Sequence, residues 1–314
     1  LPTAVSTAVI PRDANRVVIL INPKAGPKDS RPWTEQLANR LKTEGFQTEL
    51  FTDLAAATAQ ANQWHAEGCL RAFVGAGGDG TAAELVNRTV EGVTLALLPT
   101  GNSNLLARYF HYRRNPELLC RTLVEGVTTR IDAGLANGRI FLLMAGCGFD
   151  GEVVRRVHGR RGGHIHSTSY LKPVAEAAWQ YPFPEIQIDC EEADGTSRHL
   201  SARWLFVFNL PCYGGGFRIA PHADGFDGLL DICTFRRGGR WSGIQYVSAI
   251  RLGLHQHLAD WTTCRARRIR ITSNEQVPYQ LDGDPGGSLP LDIQVLPGRL
   301  TLLTPREALE KKQQ

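Results

Sequence analysis

The sequence predicts an α/β domain built on a parallel sheet, followed by a β-rich domain folded as a sandwich. Three observations carry this. The 314 residues suit two domains at roughly 150 residues each. Apolar runs of strand length alternate with helix-period segments up to about residue 130, and after that point period-two alternation takes over. The expected division is 15–130 for the first domain, 131–304 for the second, and 305–314 for a short polar tail that packs back on the first.

Val17 to Ile21 is a wholly apolar run of branched residues, as a strand buried on both faces requires. Asn22-Pro23-Lys24-Ala25-Gly26 is a turn by composition, and a helix follows with Trp33, Leu37 and Leu41 spaced by four. Phe46–Phe51, Ala72–Val74 and Val93–Leu98 read as further strands; Leu54–Glu67, Ala82–Val90 and Pro116–Glu125 read as helices. Strand and helix in turn mean a parallel sheet covered on both sides. Beyond Arg130, a strand-like stretch Ile131–Met144 precedes a helical patch at Tyr170–Gln180. Ile186, Ile188 and Cys190 recur every second residue, as do Leu291, Ile293 and Val295, and Trp204–Leu210 is a dense apolar run. Turn clusters such as Tyr213-Gly214-Gly215-Gly216 separate them, and a longer helix, Trp241–Leu258, interrupts the series.

Composition narrows the function classes. Against 35 Lys and Arg stand 31 Asp and Glu, a balance of +4, so an obligate polycation is excluded and a locally basic face is not. With no aromatic-basic recognition module, nucleic acid is not an expected partner. Seven scattered cysteines without C-x-x-C spacing argue against a disulfide framework or a zinc site and fit a reducing compartment. No apolar stretch approaches membrane-span length. A cytoplasmic protein is expected, visiting a membrane surface transiently. The sequence does not set its oligomeric state, a homodimer being one option.

Gly75-Ala76-Gly77-Gly78-Asp79-Gly80-Thr81 lies between a strand and a helix and contains G-x-G-x-x-G. A dinucleotide site would need an acid about 20 residues on. Instead, the next strand runs into Pro99-Thr100-Gly101-Asn102-Ser103-Asn104. A carboxylate within the glycine turn would repel phosphates unless a Mg²⁺ lies between, the arrangement phosphoryl transfer uses. Asp79 as a plain helix N-cap is the alternative. Three small polar loops, after the first, third and fourth strands, fall at the carboxyl ends of a parallel sheet, where ligands bind.

Asn22 to Gly26, Gly77 to Thr81, Pro99 to Ala107, and Gly146-Cys147-Gly148-Phe149-Asp150, in this order, resemble the signatures of the diacylglycerol kinase catalytic family. Bacterial diacylglycerol kinases and sphingosine kinases belong to this group. Asp227-Gly228-Leu229-Leu230-Asp231 and Leu281-Asp282-Gly283-Asp284 extend the likeness, from about Val17 to Thr304. The resemblance implies ATP and Mg²⁺ as cofactors and transfer of the γ-phosphoryl group to a lipid hydroxyl, diacylglycerol first among acceptors. It implies nucleotide contacts from Asn22, Pro23, Ala25, Gly26, Gly77, Gly78, Asp79, Gly80 and Thr81, with Thr52 added from the loop after the second strand. Gly101, Asn102 and Asn104, from the third loop, join the implied nucleotide contacts. Lys24 can offset phosphate charge or be a solvated loop residue.

Where the family has a glutamate taken to be the base for the acceptor hydroxyl, this chain has Asp284, one methylene shorter; Asp282 shares its motif, and Asp79 completes the catalytic set. Asn102 stands where the family has a hydroxyl residue. Asp224, Asp227 and the Leu229 backbone resemble the family's structural Mg²⁺ site, or form a plain Asp-Gly turn. Two other readings stay open: a catalytically silent nucleotide- or lipid-binding regulator, and a kinase with a soluble acceptor such as NAD. Basic clusters at Arg155-Arg156 with Arg160-Arg161, at Arg236-Arg237 with Arg240, and at Arg265–Arg270 are candidates for anionic headgroups. The Arg155–His166 segment is expected to be a surface-seeking loop.

Overall fold

The computed structural model describes residues 7–8, 10, 13–23, 25–26, 29–159 and 171–305. Lys24, Arg160, Arg161, the rest of the loop expected to reach His166, and the tail from Arg306 lie outside the described residues. The chain divides into two compact units: the described residues of Leu1–Ile131 with Gly298–Gln314, and those of Asp132–Pro297.

The first unit begins with a two-residue strand β1 (Thr7–Ala8), then alternates β2 (Arg16–Ile21), α1 (Arg31–Thr43), β3 (Gln47–Phe51), α2 (Leu54–Ala66), β4 (Leu70–Gly77), α3 (Asp79–Arg88) and β5 (Thr94–Pro99). The order β3-β2-β4-β5 is parallel throughout. β2, β4 and β5 are buried almost end to end, which is why they read as continuous apolar runs. Two helices follow, α4 (Leu105–Tyr109) and α5 (Pro116–Glu125); Asn115 caps α5 by accepting the Glu117 and Leu118 amides. α1 buries Leu37 and Leu41 as the spacing predicts, while Trp33 is half-buried, with the Arg114 guanidinium 5.1 Å from its ring.

The chain leaves the first unit within β6 (Val127–Ala136). The second unit contains β7 (Arg139–Phe141), β8 (Met144–Gly148), α6 (Phe149–Gly159), α7 (Leu171–Gln180), β9 (Ile186–Glu192), β10 (Ser197–Ala202), β11 (Trp204–Phe208), β12 (Leu230–Phe235), α8 (Arg240–Leu252), β13 (Trp261–Thr272), β14 (Pro278–Leu281) and β15 (Asp284–Ser288). β16 (Leu291–Thr304) starts here and ends in the first unit, where Thr301 and Leu302 pair in parallel with β5. That pairing is why residues from Gly298 group with the first unit rather than with 131–304.

β13 makes the sandwich. Its first half, Trp261–Ala266, pairs with β12, in the order β15-β14-β8-β11-β12-β13. After an irregularity between Ala266 and Arg268, its second half pairs with β9 and β16, and β10 pairs with β9. One long strand thus serves two antiparallel sheets, as strands do at sandwich corners. Cys147, Leu205, Val207 and Ile232 from the first sheet share a buried cluster with Ile188, Ile269, Ile271 and Ile293 from the second.

The outward face of the second sheet explains Arg265–Arg270. Arg270 stands between Asp189 and Asp292, and Arg268 between Glu191 and Gln294, on neighbouring strands. This is a cross-strand ladder of alternating charge on a solvated face. The expected single helix Trp241–Leu258 stops at Leu252, because Gly253 takes a left-handed conformation (φ +70°) and a short 3₁₀ turn, His255–His257, follows.

Candidate functional site

Strand order locates the ligand crevice of the first unit. The chain steps from β2 outward to β3, then crosses to β4 on the other side of β2, so the topological switch lies between β2 and β4. The loops following those two strands meet there. Asn22 Nδ2 donates to Thr81 Oγ1 at 2.9 Å, and the Asn22 amide donates to the Ala76 carbonyl at 3.1 Å. Gly75 and Gly77, the first two glycines of the fingerprint, lie within β4, paired to β2 and β5. Only Gly78, Asp79 and Gly80 make the turn into α3, whose positive end faces that turn.

The third loop joins them. The Thr100 and Gly101 amides donate to the Gly77 carbonyl at 3.0 and 3.3 Å. Gly26 has φ +72°, and a Cβ on it would lie 1.9 Å from the Thr100 carbonyl oxygen; a Cβ on Gly101 would lie 2.6 Å from Gly78 Cα. The loops at 22–26, 77–81 and 99–104 therefore touch backbone to backbone, which side chains would prevent. Pro23 and Ala25 complete the first turn, the Ala25 amide donating to Asn22 O. Asn102 and Thr52 are exposed, and Thr81 is buried. Asn104, in the left-handed region, donates from Nδ2 to Gly101 O at 2.7 Å. Its Oδ1 and the Thr100 hydroxyl are buried polar atoms without a hydrogen-bond partner in the structure. Buried polar atoms are normally satisfied, so these two are exceptions to the rule.

Asp79 occupies the first turn of α3, but its carboxylate serves another helix. Oδ2 accepts the Leu105 amide and Oδ1 the Leu106 amide, both at 2.9 Å, tying the third loop to the second through the start of α4. Burial pushes its pKa up, and the two amides oppose that. Arg114 was not marked by any sequence pattern. Its Nε donates to Pro99 O at 2.9 Å and one Nη to Gly101 O at 3.1 Å, so it holds the third loop from outside while stacking on Trp33.

In the second unit, the β14–β15 turn carries two acids with different work. Asp282, at φ +52°, accepts the Leu142, Leu143 and Met144 amides at 2.7, 2.8 and 3.0 Å. A carboxylate accepting three amides anchors the turn, and this is the work the geometry shows for Asp282, which was expected to be catalytic. Asp282→Ala is expected to cost about 3 kcal/mol, since it removes a charged acceptor from three donors and puts Ala in a left-handed backbone. Thermal denaturation checks this, and a melting temperature equal to wild type would contradict it.

Asp284 is half-exposed. Its Oδ2 lies 3.5 Å from Arg139 and its Oδ1 3.8 Å from His158 Nε2, which is itself 3.2 Å from Gly283 O. Behind the turn, Gln280 accepts the Gly283 amide at 2.7 Å and donates to Asp150 Oδ2 at 2.7 Å. Tyr213 donates to the other Asp150 oxygen. Burial raises the Asp150 pKa, and those two donors oppose it. Asp150, Gln280 and Tyr213 thus fix the loop that presents Asp284. Asp150 ends the Gly146–Asp150 motif; His158 and Gln280 carry no signal in the sequence, since their partners are distant in it.

In the Asp224–Asp227–Leu229 segment, expected as a Mg²⁺ site, the Asp227 carboxylate is engaged by protein groups. Asp227 Oδ1 accepts the Leu229 amide at 3.0 Å, and Oδ2 pairs with Arg265 at 2.9 Å. Among the described residues, no group of three or more His, Cys, Asp or Glu side chains is placed to hold a metal ion. The guanidinium supplies the positive charge there. The nearby Asp231 is buried, and burial, with Asp227 adding to it, pushes its pKa up to about 6. The folded state therefore holds that proton more tightly than the unfolded chain, so ionised Asp231 destabilises the fold above pH 6. Asp231→Asn is expected to raise stability at pH 8 by at most about 3 kcal/mol. The gain should shrink as pH falls through 6 toward 4, and melting curves at several pH values measure it. A gain that does not vary with pH would contradict this origin.

A parallel α/β unit with a glycine-lined switch point, on one chain with a β-sandwich unit bearing an anchored acidic turn, defines a kinase of the two-domain α/β and β-sandwich class. The description "Diacylglycerol kinase catalytic domain" matches residues 16–136, and "YegS C-terminal NAD kinase beta sandwich-like domain" matches residues 144–304. The chain belongs to the diacylglycerol kinase family, in its bacterial YegS-like branch. It is 27% identical over 306 residues to a diacylglycerol kinase of Bacillus subtilis (strain 168), covering 94% of this chain and 98% of that one. A diacylglycerol kinase of Mycobacterium tuberculosis (strain CDC 1551 / Oshkosh) is 31% identical over 239 residues, 73% of this chain and 75% of that one. In fold, it is similar to the crystal structure of a diacylglycerol kinase from Bacillus anthracis str. Sterne, with TM-score 0.69 and 22% identity over 93% of this chain and 98% of that one. An NAD kinase from Archaeoglobus fulgidus, solved in complex with ATP, shares the fold at TM-score 0.51 and 13% identity, over 94% and 96%.

Proposed function

We propose that the protein transfers the γ-phosphoryl group of Mg·ATP to a lipid hydroxyl, with diacylglycerol as the acceptor, at a membrane surface. The observation that supports it above others is the backbone contact of three glycine-containing loops at the switch point of the first unit. In this reading, the Gly77–Thr81 amides and the positive end of α3 bind the phosphates. Asn22, Pro23, Ala25 and Gly26 wall the crevice, and Thr52, Gly101 and Asn102 flank it. Asn104 Oδ1 and Thr100 Oγ1 take up nucleotide hydroxyl or amine groups. Asp79 holds the first turn of α4 in place, and its carboxylate would hold the magnesium that comes with ATP.

Asp284 accepts the proton of the lipid hydroxyl as its oxygen bonds to the γ-phosphorus. The bond from that phosphorus to the bridging oxygen breaks, and ADP is the leaving group. His158 and Arg139 orient the Asp284 carboxylate. No step runs through a structural ion near Asp227.

Incubation with γ-labelled ATP, Mg²⁺ and mixed micelles of diacylglycerol tests the proposal. Label in phosphatidic acid is the expected result. ATP binding without turnover, or label in NADP when NAD is supplied instead, would contradict it.

A further inference from the structure

Helix α8 is apolar on two opposite sides. Gly243, Tyr246, Ala249 and Ile250 are buried against the unit. Spacing by three and four puts Trp241, Ile244, Ser248 and Leu252 on the other side. There Trp241 is 83% exposed, Leu252 69% and Ile244 45%; Leu254, just past the helix, and Trp179 on α7 are exposed as well. These five are among eight large apolar side chains exposed in the described residues. Scattered exposed apolar residues need no explanation, whereas a cluster on one helix pair points to a binding surface.

Charge indicates what it binds. Residues 236–259 contain no Asp or Glu, while Arg236, Arg237, Arg240 and Arg251 are all exposed. Arg240 Cζ lies 4.3 Å from the Trp179 ring centroid, joining the two helices into one basic-aromatic surface. Among the described residues, the other two basic clusters have acidic partners: Arg155 and Arg156 both pair with Glu152, Arg265 with Asp227 and Arg270 with Asp292. Exposed tryptophans amid arginines, beside a segment 236–259 that has no acid of its own, match the polar-apolar boundary of a bilayer whose headgroups are anionic. A second copy fits badly, since a two-fold contact would set these arginines against each other.

We infer that the outer face of α8, with Trp179 of α7, is the surface by which this protein docks on anionic phospholipid membranes. Trp241, Ile244 and Leu252 enter the headgroup boundary, and Arg236, Arg237, Arg240 and Arg251 contact lipid phosphates. The purpose of docking rests on the lipid-kinase reading, but its test does not.

Co-sedimentation of the full chain with vesicles, without nucleotide, measures it. Binding to phosphatidylcholine vesicles containing phosphatidylglycerol is expected, with little binding to phosphatidylcholine alone and release by salt. The pair Arg236→Glu and Arg237→Glu should weaken binding by at least about fivefold per arginine. The pair Trp241→Ser and Leu252→Ser should weaken it comparably. Both pairs should keep the wild-type circular dichroism and the wild-type rate on a water-dispersed short-chain acceptor. Wild-type protein that ignores anionic vesicles, or variants that bind them as well as wild type, would overturn the inference. So would a wild-type dimer that Trp241→Ser dissolves, because the patch would then be a contact between copies. Vesicle binding intact in a protein that phosphorylates no lipid would sink the kinase reading and leave the docking face standing.

Discussion

Asp284→Asn should lower kcat by about 10²- to 10⁴-fold, the range a positioned general base contributes. The KM for ATP and the melting temperature should barely change. The side chain is half-exposed, and its neighbours Arg139 and His158 stand 3.5 and 3.8 Å away, so its removal breaks no buried network. Asp282, two residues earlier, supplies the contrast, because its loss should act on stability through three amides. An Asp284→Glu variant restores the longer arm found in the family and should keep most of the activity. Steady-state kinetics of the two Asp284 variants decides the matter. An Asn variant that turns over at the wild-type rate removes Asp284 from the chemistry.

Asp79→Ala should abolish most turnover and also destabilise the fold, by about 2–4 kcal/mol for the loss of a charged acceptor of two amides. Both effects are expected because one carboxylate joins the second and third loops and borders the phosphate crevice. Asp79→Asn separates them. The amide keeps one oxygen acceptor, so about half of the stability should return, while the charge that attracts Mg·ATP does not. Recovery of both stability and rate in the Asn variant would reduce Asp79 to a cap for α4. Thermal melting beside ATP-dependent kinetics gives both readings.

The parallel sheet was legible because β2, β4 and β5 are buried on both faces, which favours apolar residues almost throughout. The three loops were legible because backbone contact demands glycine at Gly26 and Gly101. Less visible was β4 beyond Val74: Gly75, Ala76 and Gly77 have poor strand propensity and are held by β2 and β5 on either side. α4 was missed because five residues carry too little periodicity; its start is set by Asp79, 26 positions away. Of the candidate site, the acidic turn could be read, but the division of labour between Asp282 and Asp284 could not. It depends on amides about 140 residues distant. Arg114 and His158 were silent for the same reason, as partners that exist only once the chain is folded.

The central claim is that the loops at 22–26, 77–81 and 99–104 hold the triphosphate of ATP. A crystal structure with Mg²⁺ and a non-hydrolysable ATP analogue tests it most directly. The account predicts phosphates against the Gly78, Asp79 and Gly80 amides, with Asn104 Oδ1 and Thr100 Oγ1 hydrogen-bonded to the nucleotide. An ordered analogue bound elsewhere on the chain, with those two oxygens still without partners, would contradict it.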